Sequence, residues 1–305
     1  MKVASSSSDV NPNEGFHQIE VGDVVVTALS DGFMKGGDRV VRGIDQPMVE
    51  ATLRASSRFP ANVDVNAFVI AHGDRKLLVD TGSGHYMGRN AGRLANNLEA
   101  SGVSAEEIDT VLLTHIHPDH VGGLTEADGT ARFPNAELLI NSREYAFWME
   151  GAADAWVKDE ERALFLDCPR EQIHPYMDRV RLISGDAEVF PYVTAMHYPG
   201  HTPGHSICMI SSKRSKLLIW GDTVHVPEVQ TAFPEAGVVF DVDASQAAVS
   251  RRKVFELAVS EQLPLLGMHT QHGGLFHLER DRAAFKLGST PPWQGDSSCF
   301  TRRSI

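Results

Sequence analysis

At 305 residues, 42% hydrophobic and 22% charged, the chain has ordinary globular usage and enough length to bury a core without staples. That excludes a disordered chain, a collagen-like fibre and a disulfide-built miniprotein. Forty acidic against 28 basic residues leave a formal charge of −12, with no footprint for a phosphate backbone, so nucleic acid is not expected as a partner.

Cys168, Cys208 and Cys299 are widely spaced and form no CxxC pair, so neither a thiolate zinc site nor a disulfide framework is indicated. The start lacks the apolar core of a signal peptide, and no apolar run approaches the ~18 residues that span a bilayer. The expectation is a cytoplasmic protein without a membrane partner. Length divided by ~150 allows two units or one large α/β domain. No repeat and no clean linker is visible. We read a flexible polar tail over 1–15 and a single domain over 16–305.

The first predicted elements are two β-rich runs, 16–21 and 24–29, split by Gly22-Asp23 as a hairpin. Asp31-Gly32 reads as a further turn. Residues 35–62 have little periodicity and read as a long surface excursion, a feature that is often functional. Strands follow at 67–70 and 76–79 around His72-Gly73-Asp74, the second running into Asp80. Helical spacing covers 88–100 and stops at Gly102. Ser104 and Glu107 form a capping-box pattern that reads as a simple helix start.

A short buried strand over 108–114 ends at His115. Residues 141–161 read as helical and rich in aromatic side chains, with Tyr145, Phe147, Trp148 and Trp156. Strands are predicted at 180–183, 193–197, 207–210 and 217–220. Asp243 caps a helix over 245–261, and a strand over 265–268 ends at His269. The stretch from about Gly288 is loop-like. Strand and helix in alternation indicate a layered α/β protein.

Fourteen histidines are the unusual number, and they fall after strand ends, where α/β proteins place their sites. His115, His117, Asp119 and His120 lie within six residues. Imidazole and carboxylate suit zinc and neighbouring metals. His115 and His117 share a direction by period two, while Asp119 and His120 lie beyond the turn at Pro118 and face a second position. One loop cannot complete two four-ligand sites. His201, in a Gly/Pro-shaped turn, is a natural third ligand, with His205 behind it. Asp222 ends a strand, and its two oxygens suit a bridge. His269 closes the set; it is preferred to the nearby His272 and His277 because it leaves the strand directly.

These motifs resemble the metallo-β-lactamase-fold hydrolases: 77–82 (LLVDTG), 115–120, 199–205, Gly221-Asp222 and His269, in the family's order and spacing over nearly the whole chain. Segments 117–124, 220–225 and 240–243 are most similar to the methyl parathion hydrolase-like group, a relative of the N-acyl homoserine lactone lactonases. The stretch from His269 to His277 keeps the group's His-to-His spacing but lacks its Phe-Pro-Gly.

The resemblance implies an αββα sandwich with two divalent metal ions at the sheet edge, zinc first, with manganese, cobalt or iron as alternatives. His115, His117 and His201 would hold one ion, Asp119, His120 and His269 the other, and Asp222 would bridge. Asp80 would orient a ligand, and His277 a ligand or the pocket wall. A bridging hydroxide would be the nucleophile, with Asp119 passing a proton to the leaving group. Tyr198 and His225 are candidates for stabilising an oxyanion. The aromatic segment around Trp148 and the excursion 35–62 are candidate pocket walls.

The expected activity is hydrolysis of a lactone or related ester, a small molecule; hydrolysis of phosphotriesters is the alternative. β-Lactamases of this fold usually lack a bridging aspartate. Flavodiiron-type sites have Glu where His117 stands. Glyoxalase II-like enzymes carry an extra helical C-terminal half, and nucleases of the fold need basic surface. A mononuclear iron redox enzyme and a catalytically silent metal-binding protein are further readings. Relatives point to a homodimer.

Overall fold

The computed structural model describes residues 15–271 and 274–288. Strand alternation builds its centre. In Arg75–Val79, Leu77 and Val79 point one way and Leu78 the other, and all three are buried. Ser206–Ser212 and Ser215–Ile219 repeat the pattern, with Cys208, Ile210, Leu217 and Ile219 inward and Ile207 and Leu218 outward. Strands buried on both faces need a layer on each side.

Seven strands form one sheet, in the order Phe16–Val21, Val24–Lys35, Asn62–His72, Arg75–Val79, Thr110–Leu112, Glu137–Asn141 and Val180–Ile183. The last four run parallel and the first pairings are antiparallel. Five strands form the second sheet, with Leu265–Leu266 parallel to Ser215–Ile219 at one edge. The inner faces of the two sheets share one apolar core. The helices Leu94–Ala100 and Ser142–Met149 pack outside the first sheet, and Ala244–Ser260 outside the second. The architecture is the expected αββα sandwich.

The hairpin at Gly22-Asp23, the capping box at Ser104 and Glu107, and the Asp243 cap, which accepts from the Gln246 amide at 2.9 Å, all form as read. Cys168 and Cys208 are buried free thiols. No helix among the described residues is long and apolar enough to cross a membrane. Residues 1–14 of the tail expected over 1–15, the end of the chain beyond Gly288 with Cys299, and His272 lie outside the described residues.

Three local expectations are corrected. Asp31-Gly32 is not a turn but a bulge inside one long strand. Gly32 has φ +120°, and a Cβ there would sit 2.0 Å from the Asn90 carbonyl. Secondly, the helix predicted over 88–100 begins only at Leu94. The buried Asp31 carboxylate takes the Gly92 and Leu94 amides at 3.0 and 2.9 Å, along with the Ser83 amide and hydroxyl, so the chain before Leu94 is bent around it. Thirdly, the excursion 35–62 contains a helix, Gln46–Ala55, and an edge strand, Val41–Arg42. There is also an unforeseen hairpin, His277–Asp281 with Ala284–Gly288.

Asp31 therefore fastens both ends of the connection between Val79 and Leu94. Asp31→Ala leaves the Ser83, Gly92 and Leu94 amides without this acceptor, at about 1–3 kcal/mol for each that stays buried and unpaired. We expect a loss of about 4 kcal/mol, read as a lower urea midpoint at unchanged m-value. A midpoint within error of the parent would show that water replaces the carboxylate.

Candidate metal centre

Asp80, His115, Asp222 and His269 all follow strands of the two facing sheets. Arg75–Val79 and Thr110–Leu112 run parallel in one sheet, Ser215–Ile219 and Leu265–Leu266 in the other, so each sheet delivers its side chains to a common edge. His115, His117, His201 and Asp222 bring ligand atoms within 4.8 Å of one another. Asp119, His120 and His269 form a second such group, and Asp222, His225 and His269 a third. All eight side chains are buried.

The donor geometry fits cations. The His117 Nδ1 atom lies 3.0 Å from the Nε2 atoms of both His115 and His201. Nitrogen ligands of one tetrahedral zinc are about 3.3 Å apart. Three neutral nitrogens that close repel unless a proton or cation lies between them. The buried Asp222 Oδ1 and His120 Nε2, 3.3 Å apart, have no hydrogen-bond partner. Asp222 Oδ2 lies 3.0 Å from the Nε2 atoms of both His225 and His269, and 3.4 Å from that of His201. One carboxylate thus faces both groups, as a bridge must.

Charge points the same way. Burial holds the His115 and His117 imidazoles well below the ordinary histidine value, so their lone pairs are free. Burial also depresses His120, but Asp222, Asp119 and Asp80 overcome it and hold it high. His201 is opposed by burial in the same way, yet Asp222 and Asp241 lift it to about 9. The carboxylates demand positive charge, and in its absence the histidines supply it as protons. Metal binding at such a centre releases those protons.

The outer ring nitrogens are held. His120 Nδ1 donates to Asp80 at 2.7 Å. His115 Nδ1 meets the Thr114 hydroxyl at 3.1 Å, and that hydroxyl donates to the same Asp80 carboxylate at 2.7 Å. Asp80 thus orients one candidate ligand directly and another through Thr114, from a left-handed backbone at φ +60°. His269 Nδ1 donates to the Asp64 carbonyl at 2.7 Å, leaving Nε2 to the cluster. His205 donates from Nδ1 to the Tyr198 carbonyl and accepts the Asp222 amide on Nε2, both at 2.9 Å. Burial holds His205 neutral, at about 3. Gly221, at φ +55°, has no side chain to block that ring.

Two positioning carboxylates were not singled out in the sequence. Asp241 meets His201 Nδ1 at 2.8 Å, and His201 draws it down to about 2 against the opposing effect of burial. The segment 240–243 carried part of the resemblance, and that was its signal. Glu144, on the helix Ser142–Met149, takes the Ile116 and Gly204 amides at 2.8 Å and the Trp148 indole at 2.7 Å. Nothing in the local sequence marks it.

Above the cluster opens a cavity of about 430 Å³. Its floor includes His117, Asp119, Asp222 and His225; Phe33, Met34, Val63, Met87, Phe165 and Phe240 form much of its wall. Lys35 and Val40, from the excursion 35–62, also line it. Trp148 does not: it packs edge-on behind His117, at 5.3 Å between ring centroids, and Phe165 takes the wall position. Tyr198 is likewise absent from the wall and packs into the apolar cluster beneath the second sheet. His225 reaches the centre through Asp222. His277 sits on the terminal hairpin against Gly288 and Glu279, in none of the three ligand groups.

Residues 61–269 match the family model described as the Metallo-beta-lactamase superfamily. An N-acyl homoserine lactonase from Bacillus sp is 29% identical over 163 residues, 53% of this chain and 56% of the relative. The chain therefore spans little more than half the length of that relative. Among solved structures, the hydrolase AbOPH in the beta lactamase superfamily has a TM-score of 0.84 at 29% identity, over 92% of this chain and 99% of its own. AidC, described as a dizinc quorum-quenching lactonase in complex with a product, has a TM-score of 0.82 at 23% identity, over 92% and 99%, and shares the fold.

Proposed function

Because this chain belongs to the metallo-beta-lactamase superfamily, we propose that it is a dinuclear metal-dependent hydrolase that opens a lactone or cleaves a related ester. The observation that carries the reading is Asp222, shared between two ligand groups at the floor of an apolar cleft. His115, His117 and His201 would hold one divalent cation, and Asp119, His120 and His269 the other. Bound there, such cations supply an acidified water and a Lewis-acid contact to the scissile carbonyl.

The chain's own residues do the rest. Asp222 orients the imidazoles on both sides of it. Asp119 borders the cleft beside His120 and His269, where its carboxylate can carry a proton to the leaving oxygen. His225 borders the cleft with a ring that burial holds neutral, at about 4; with its Nε2–H toward the Asp222 carboxylate, its Nδ1 is left as an acceptor. The apolar wall seats the substrate body and excludes water. A cleft of this size suits a small molecule. The lactonase relative supports a lactone as the first substrate class.

The test is proton release in a pH-stat with zinc- or manganese-loaded protein, on lactones of varied ring and tail, a phosphotriester, a thioester and a β-lactam. We expect lactone turnover to lead. Phosphotriester turnover with silent lactones would transfer the assignment to triester hydrolysis. Oxygen consumption with one iron per chain and no ester turnover would overturn the hydrolase reading.

A further inference from the structure

The sign of the cleft wall is opposite to that of the protein. The chain carries a net −12, and among the described residues the only carboxylates lining the cleft are Asp119 and Asp222, both engaged with histidines at the floor. The other charged side chains among its described lining residues are Lys35 and Arg89, both exposed. Neither makes an ion pair with any described residue, although most of the described basic side chains do, among them Arg58, Lys76, Arg132 and Arg181. They come from separate segments, the end of the strand Val24–Lys35 and the bend before Leu94, yet border one cavity.

Two free cations on an apolar wall focus a positive field where a ligand enters. A neutral substrate has no use for them. From this we infer that Lys35 and Arg89 form an anion-recognising subsite, and that the preferred substrate is an ester or lactone with an apolar body and a negatively charged group remote from the scissile bond. The inference rests on the hydrolase reading for its reaction. Its binding half does not need turnover.

The experiment compares 4-nitrophenyl half-esters of dicarboxylic acids with neutral 4-nitrophenyl alkanoates of equal length, in parent and Lys35→Met/Arg89→Met proteins. In parallel, calorimetry on metal-free protein measures octanesulfonate against octanol. We expect the anionic-to-neutral ratio of kcat/KM to exceed one in the parent and fall roughly tenfold in the double variant, the scale of two partly exposed charge contacts. The loss should appear in KM, and sulfonate binding should weaken by a similar factor. Equal ratios in parent and variant, with unchanged sulfonate binding, overturn the subsite and leave the hydrolase intact. If no ester on either series is hydrolysed, the hydrolase reading falls, and the substrate assignment with it.

Discussion

Asp222→Asn is expected to lower ester turnover by roughly 10³-fold or more, and the bound divalent metal to fall from the proposed two ions per chain towards one. The geometry dictates the size. Oδ1 faces His120 at 3.3 Å, and Oδ2 faces His225 and His269 at 3.0 Å. An asparagine keeps one oxygen and turns an amide donor toward the other set of nitrogens. It also removes the charge that His120, His269, His115 and His225 together hold ionised despite burial. Metal counting by elemental analysis, with a competing chelator to read affinity, checks the claim without relying on activity. In the parent, loading with metal at 100 times the dissociation constant adds about 2.7 kcal/mol of stability, and a chelator removes it as a lower Tm. The variant should lose much of that gain. Two tightly held ions and near-parental turnover in Asp222→Asn would sink the bridging role.

Glu144→Gln has the second-largest effect, although Glu144 belongs to none of the ligand groups. Its Oε1 accepts from the Ile116 amide and the Trp148 indole, and its Oε2 from the Gly204 amide. Ile116 stands between two proposed ligands, His115 and His117, and Gly204 follows His201 by three residues. One buried carboxylate thus sets the distance between the two ligand-bearing loops. Burial raises its pKa, and the donors around it work against that rise. A glutamine fits the space but must set an NH2 against at least one N–H, whichever way the amide turns. We expect a stability loss of about 2 kcal/mol in urea. Metal affinity should weaken by 10- to 100-fold, as is usual when a group that orients metal ligands is lost. Both are measurable on protein that has never met substrate. Parental metal affinity in a destabilised Glu144→Gln would reduce the residue to packing alone.

The clustered histidines and aspartates were legible because many of them lie where a short-range pattern ends. His115, Asp222 and His269 follow apolar runs that can only be buried strands, and period two gives His117 the direction of His115. The Asp243 cap and the Gly22-Asp23 hairpin are equally local, since their hydrogen bonds span a few residues. Asp80 was legible for the same reason, standing at the end of a strand. The positioning residues were not. The hydrogen bonds of Glu144 reach 28 and 60 residues along the chain, that of Asp241 reaches 40, and those of Asp31 reach up to 63. In sequence these are a helix-surface glutamate, a loop aspartate and a turn aspartate.

The same division explains the errors over Asp31-Gly32 and the helix start. Local propensity favours a turn at the first and a helix from Gly88 at the second. Both yield to one buried carboxylate that would otherwise lack donors. The sequence by itself determined the layered α/β class and the candidate ligands at strand ends, because alternation and strand ends are properties of neighbouring residues; the sandwich and the sorting of those ligands into two groups came from the family resemblance. Only the tertiary structure decided which carboxylates hold the imidazoles, that Phe165 and not Trp148 walls the cleft, and that Lys35 and Arg89 share its border. Those facts depend on how distant segments pack, and packing is settled by the whole chain at once.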